Sequence, residues 1–394
     1  MRSNINKMYL INLLKNMMFF SAVAVPFFLD WAKVDYTRIF LLEAIFSFSM
    51  FILEIPTGVI ADKYGRKYSL ALGGFFSAVS FLMFGFFKSY LVYFLAEVIC
   101  AVGFTLLSGA DKALLYDTLI ALQEEDKASR YFSRYESIGL IGIIIGLAGG
   151  SWLAGSKILA YPASLPLTFN ITGIVLMTVI PVALSLKEPQ SRSTGEKFIQ
   201  QGIGGFKHIF LNNRLRGFTL NYALISAMTF FMYWLYQSWL RSAGVNLSYY
   251  GVVGTAFNLF GILLMLNLGK IEKVFGVNRL LLITALLPGL LYVGLFYTNN
   301  LIYGLLAILF ITGLRQLRSP LLSDFINQHI NSENRATVLS GVSMLERVVT
   351  MIMYPITGLL VDYSLAIAFL FLGITTVVFS FLTKIKVVKV DYGE

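Results

Sequence analysis

The chain has 394 residues, of which 57% are hydrophobic and 13% charged, and its formal net charge is +10. Soluble domains carry about a quarter charged residues, so this composition excludes a water-soluble fold around one core and points to a lipid environment. The basic excess lies in short breaks between apolar runs, with no basic face interleaved with stacking aromatics and no Cys/His metal spacing; this argues against nucleic acid, a metal or another cofactor. Cys100, the only cysteine, sits in an apolar run and reads as a packing residue.

A membrane-crossing helix needs about 20 mainly apolar residues. The first candidate is Met8–Leu29; its basic-then-apolar start lacks a small-residue cleavage site and reads as a span rather than a signal peptide. Next come Ile39–Ile60, Tyr68–Phe87, Tyr90–Leu115, Tyr135–Leu153 and Leu165–Leu186. After a polar interval follow Phe218–Leu240, Tyr249–Leu268, Leu280–Tyr297, Leu301–Leu321, Val338–Val361 and Leu365–Ile385. The expected fold is an all-α membrane protein with twelve transmembrane helices. The interval opens with Glu188-Pro189-Gln190-Ser191-Arg192-Ser193-Thr194-Gly195, a linker composition. Phe198, Ile199, Ile203, Phe206 and Phe210 then recur at helical spacing, as in a short interfacial helix weakened by Gly202, Gly204 and Gly205. The expected organisation is a six-helix bundle over 1–186, a linker over 187–216 and a second six-helix bundle over 217–394.

With the N-terminus inside, the outer loops hold only Lys33, Arg38, Lys88, Lys157 and Arg241 of the 31 basic residues. The positive-inside rule therefore places both termini in the cytoplasm of a cell or inner membrane. The halves carry short matches at a nearly constant offset: Asp117 with Asp324 at 207, Ala128 with Ala336 at 208, and Gly65 with Gly276 at 211. Such pseudo-symmetric halves are common in transporters, with the substrate site near mid-membrane.

Between the second and third spans the chain reads Gly58-Val59-Ile60-Ala61-Asp62-Lys63-Tyr64-Gly65-Arg66-Lys67. This loop resembles the signature loop of the major facilitator superfamily at every specified position. The preceding Glu54-Ile55-Pro56-Thr57, and Ser108-Gly109-Ala110-Asp111-Lys112-Ala113-Leu114-Leu115-Tyr116-Asp117 in the fourth span, resemble bacterial and archaeal drug-efflux-like members. Glycines 58 and 65 permit close helix approach and a tight reversal. Asp62 suits the positive end of a neighbouring helix, which the resemblance implies is the eleventh, beginning near Ser332 to Ala336. Lys63, Arg66 and Lys67 complete a cytoplasmic gate, pairing with acids or lipid phosphates; the alternative is a solvated basic turn that only sets topology. Two departures stand against typical antiporters. Glu97 occupies the neighbourhood of their fourth-span arginine, and the fifth span, with Gly139, Gly142, Gly146, Gly149 and Gly150, lacks their glycine–proline pair.

An ionisable residue inside a span costs about 2.5–3.5 kcal/mol on insertion scales. Glu43 reads as solvated near the outer interface, while Glu54, Lys112, Glu136 and Arg318 lie toward inner ends where snorkelling or bundle salt bridges suffice. Deeper lie Glu97, Arg315 and the adjacent Glu346 and Arg347, which diverge by about 100° on a helix. The resemblance implies that the first, fourth, seventh and tenth spans line a cavity. Glu97 and Asp111 of the fourth span, with Glu346 of the eleventh, are the proton-coupling candidates. Lys15, Asn16 and Arg315, with Tyr233, Trp234 and Gln237 on one arc of the seventh span, are the substrate-cavity candidates. For Glu97 and Arg315 a mutual functional pairing and separate structural partners both stay open; Trp239 beside Arg241 reads as an interfacial belt.

The leading functional expectation is alternating-access, proton-linked efflux of a small amphipathic solute by a monomer in contact with membrane lipids. Lipid or lysolipid transport is a second reading, and a non-transporting receptor or scaffold a third. An enzyme is not expected, because no phosphate loop or nucleophile–base spacing is present.

Overall fold

The structure, a computed structural model, describes residues 1–156, 158–189, 213–329 and 332–383, with the backbone alone at 213–214, 322–329 and 332–337. The expected interfacial helix of the linker lies outside the described residues. Among the described residues every regular element is helical. The chain divides into two compact units, one of Met1–Phe198 with Gly244–Thr255, the other of Ile199–Ala243 with Ala256–Glu394.

The first unit contains α1 (Arg2–Asn16), α2 (Tyr36–Tyr64), α3 (Arg66–Phe86), α4 (Tyr90–Leu107), α5 (Ala110–Ala121), α6 (Ala128–Gly155), α7 (Ser164–Met177) and α8 (Val179–Leu184). The second contains α9 (Asn213–Phe230) and α10 (Met232–Ser242), then most of α11 (Tyr250–Leu266), whose first turns belong to the first unit. It continues with α12 (Leu268–Phe275), α13 (Val277–Tyr297), α14 (Leu301–His329), α15 (Ser332–Tyr363) and α16 (Leu365–Leu382).

Eleven stretches of helix among the described residues are long and apolar enough to cross a membrane. The one expected segment missing from them is the first. Rather than one helix over Met8–Leu29, α1 stops at Asn16, and helical structure resumes only at Ala24–Pro26 and a π-helical Phe27–Ala32. Pro26 supplies part of the reason: it has no N–H for the Ala22 carbonyl and its ring would crowd there. The helix that resumes at Ala24 carries it in its first turn, although Pro56, Pro288, Pro320 and Pro355 lie inside continuous helices. The fifth-span glycines supply the rest. A Cβ at Gly146 would come within 2.6 Å of the Met18 nitrogen, and one at Gly149 within 3.0 Å of the Phe19 ring. The irregular backbone is thus embedded in α6, and Phe19 N–H donates to Thr172 Oγ1 of α7 at 3.0 Å. Irregular backbone at membrane depth is tolerated when it is enclosed in protein in this way.

The fourth span is also interrupted. Its helix breaks at Ser108–Gly109, where Gly109 has φ +78°, and α5 begins at Ala110. The other spans keep their places, with the second beginning earlier, at Tyr36, the fifth at Ala128, the seventh at Asn213 and the eleventh at Ser332, and with the tenth running on to His329.

Sequence matches between the halves have conformational counterparts. Gly65 (φ 102°, ψ 143°) separates α2 from α3, and Gly276 (φ 72°, ψ 148°) separates α12 from α13. Both sit in left-handed φ space that disfavours a side chain. Each unit also packs its third expected span on its sixth through glycine. A Cβ at Gly173 of α7 would lie 3.0 Å from the Ala78 carbonyl of α3, and one at Gly373 of α16 would lie 2.8 Å from the Gly289 carbonyl of α13. Small residues at such contacts let helix backbones approach where lipid gives no hydrophobic drive to association.

Candidate binding and gating sites

In the second unit, Arg315 organises a cluster. It lies on α14 and reaches across to α15, where Nη2 donates to Glu346 Oε1 at 2.8 Å, and to α9, where Nε donates to the Ser226 carbonyl at 3.2 Å. Its guanidinium lies over the rings of Phe230 and Tyr233, 5.3 and 5.6 Å from their centroids. Tyr233 in turn accepts from Gln316 Nε2 at 3.1 Å. A planar guanidinium suits this double role of ion pairing and ring stacking. Half-buried Tyr233 therefore belongs to the arginine cluster; Trp234 and Gln237 follow on α10, half-buried and buried. Glu346 turns to Arg315 while Arg347 is exposed, the divergence expected of neighbours on a helix.

Arg318, one turn along α14, is buried rather than snorkelling, and it donates to Asn221 and to Thr284 Oγ1. Trp239 is likewise buried instead of belonging to an interfacial belt, because Gly304 of α14 leaves the space that its indole fills.

In the first unit, Lys15 and Asp111 form an ion pair between α1 and α5. Tyr135 of α6 donates its hydroxyl to the same Asp111 oxygen, and its ring lies 5.6 Å from the Lys15 ammonium. Asn12 donates to the Tyr135 carbonyl, and Asn16 Nδ2 donates back to Asn12, so α1 is stitched to α6. Glu97, on α4, is buried and has no cationic partner among the described residues. The acid whose charge acts on it is Glu43 of α2, which is half-buried rather than solvated. Arg315 and Glu97 belong to different units, and Arg315 has its own acid in Glu346.

The signature loop departs from expectation at Gly58. Asp62 and Lys63 are exposed, and a Cβ at Gly58 would meet nothing of its own unit within 4 Å, so no close approach depends on that glycine there. Gly65 makes the reversal. The Arg66 side chain pairs with Asp117 at the end of α5, while the Arg66 and Lys67 backbone N–H groups donate to the two oxygens of Glu188 at 2.7 and 3.0 Å. Glu188 thus caps the N-terminus of α3, where a carboxylate satisfies otherwise orphaned amides and meets the positive end of the helix. The adjoining Lys187 backbone exchanges hydrogen bonds with the Asn4 side chain, and Lys7 Nζ donates to the Ser185 carbonyl at 2.6 Å. In the turn before α6, the hydroxyl of Tyr131, helped by Lys127 and Arg2, holds the Glu124 carboxyl below its ordinary range.

Sequence reasoning missed Glu188, which reads as the opening of a linker, and Tyr135, which reads only as the start of a span. A carboxylate immediately before Pro189, at the exit from the sixth span, was the available signal for the first. Nothing local marked the second. Lys112 and Glu136 do form a salt bridge, at 2.7 Å on the exposed surface.

A profile of the Major Facilitator Superfamily matches residues 8–316. Relatives in Bacillus subtilis include the uncharacterized MFS-type transporter YxaM, 23% identical over 368 residues and 89% of each chain. Multidrug resistance protein 2 of the same organism is 23% identical over 364 residues, covering 90% of this chain and 87% of its own. The nucleoside transporter NupG superposes with a TM-score of 0.80 at 15% identity, covering 96% of this chain and 98% of its own. A bacterial homologue of the lysosomal transporter Spinster superposes with a TM-score of 0.70 at 14% identity, covering 96% and 94%. The multi-spanning helical fold, the glycine-turned signature loop and the match over most of the chain agree: this protein belongs to the Major Facilitator Superfamily and is a secondary-active transporter working by alternating access.

Proposed function

We propose that the chain exports a small amphipathic solute in exchange for protons, through twelve spans arranged as six-helix bundles over 1–186 and 217–394 with both termini cytoplasmic. The observation that carries the proton-coupled reading is the contrast among three candidate acids. Asp111 is held by Lys15 and Glu346 by Arg315, whereas Glu97 is buried with no cation beside it among the described residues. An intramembrane carboxylate without a partner is costly, and taking up a proton removes the charge. Glu97 therefore serves as the coupling acid. Arg315, Phe230 and Tyr233 supply flat faces for the apolar part of the solute, a surface suited to aromatic or planar groups. Export is favoured over import by the relatives named multidrug resistance proteins. Asp62, Arg66 and Lys67 act in the cytoplasmic gate.

The test is transport by the purified full chain in proteoliposomes, with a panel of amphipathic compounds and an imposed proton gradient. Glu97→Gln should abolish proton-driven accumulation and leave solute counterflow intact. Wild-type accumulation by Glu97→Gln at every pH would refute the coupling role, and indifference of the native chain to the gradient would refute proton exchange itself.

A further inference from the structure

We propose that Lys15, Asp111 and Tyr135 form a subsite for an anionic group of the transported solute, built where two interrupted helices meet. The inference rests on the transport reading above and adds the charge of the solute to it.

The sequence places Lys15 in the last turn of α1 and Asp111 in the first turn of α5. Neither helix continues through the membrane at that point: α1 ends at Asn16 and the fourth span breaks at Ser108–Gly109. A cation thus stands at the negative end of one half-helix and an anion at the positive end of another, and the two side chains pair across the gap. An ordinary structural ion pair needs no interruption of either helix. Half-helix ends gathered at membrane depth are instead the arrangement by which transporters hold charged groups.

The two partners are not equivalent. Asp111 is sealed, its side chain 3% exposed, with one oxygen taking Lys15 and the Tyr135 hydroxyl and the other taking the Lys112 N–H at 2.6 Å. Lys15 is 20% exposed and uses only one of its three ammonium N–H directions on Asp111. What the protein offers a ligand here is therefore the ammonium, backed by a buried carboxylate that fixes its position. A cationic solute would meet like charge first. A carboxylate or phosphate would take the unused ammonium protons without displacing Asp111.

The experiment uses the full chain in nanodiscs and four naphthalene probes of matched shape: naphthoate, naphthyl phosphate, naphthylmethylammonium and naphthylmethanol. Equilibrium binding is measured by calorimetry at neutral pH and constant salt. At least one anion should bind about tenfold tighter than the ammonium and alcohol probes, a difference readily resolved by titration, and the comparison of the two anions separates carboxylate from phosphate recognition. Lys15→Met combined with Asp111→Asn removes both charges, so that no lone charge stays buried; it should lose the preference for anions over naphthylmethanol. Lys15→Arg should keep that preference. An anion preference unchanged in the double variant, tightest binding of the ammonium probe, or no binding of either anion would overturn the proposal. Proton-driven accumulation is read separately, so anion selectivity without gradient-driven transport would sink the export reading and leave the subsite standing, and the converse result would do the opposite.

Discussion

Removing the Glu188 carboxylate isolates one local interaction on which the signature loop depends. Its two oxygens accept from the Arg66 and Lys67 amides at 2.7 and 3.0 Å, at the first turn of α3, where the N-cap residue, Gly65, makes no side-chain capping bond. Losing a capping side chain costs about 1 kcal/mol, within a span of about 0.5–2. The charge at the helix N-terminus adds about 0.3–1 kcal/mol. Together the loss in Glu188→Ala should be about 1–2 kcal/mol, which multiplies the open fraction of this turn by about 5–30. Glu188→Gln keeps an acceptor and loses the charge, so it should fall between. Hydrogen exchange followed by mass spectrometry reads this directly, because the two amides lose protection only when the cap opens. Peptides spanning 62–70 should exchange faster in Glu188→Ala by roughly that factor, and peptides from α13 should not change. Equal exchange at Arg66 and Lys67 in the native chain and Glu188→Ala would refute the cap and with it the tie between the loop and the exit of the sixth span.

Three further outcomes follow from other contacts. Arg315→Met leaves Glu346 as a lone charge and should destabilise the second unit by about 3–5 kcal/mol, whereas Arg315→Met with Glu346→Met should recover most of that loss; thermal unfolding in detergent compares them, and an equally unstable double variant would show that the pair is not the source. Gly146→Ala should cost about 1–3 kcal/mol because the added methyl meets the Met18 backbone, while Gly58→Ala, with open space in its own unit, should gain about 0.5–1 kcal/mol from helix propensity; the same melting assay tests the opposite signs. Cysteines at Ser193 and, separately, at Asn299, in a Cys100→Ala background, should label from opposite sides of the membrane, and same-side labelling would remove the twelve-span topology.

Legibility in the sequence followed the range of the interaction. Most spans were readable because lipid imposes one requirement on about 20 consecutive residues, and Gly65 was readable because a left-handed turn between two helices selects glycine locally. The fifth-span glycines were visible as a packing stripe, but what they pack against was not. The side chains of Lys15 and Asp111 were visible as costly charges in spans, yet their separation by 96 positions hides their pairing. Arg315 was legible as a deep charge, and its partner Glu346 was named only as a separate candidate.

The residue types and their spacing alone determined that this chain is a helical membrane protein, where its loops fall, and which signature loop it carries, because hydropathy, charge bias and glycine turns each act within a few residues. Only the tertiary structure decided that the first span is interrupted. A run of apolar residues from Met8 to Leu29 satisfies lipid equally well as one helix or two. The choice depends on whether another helix can enclose the unpaired backbone, and the glycine face of α6 does so from more than a hundred residues away.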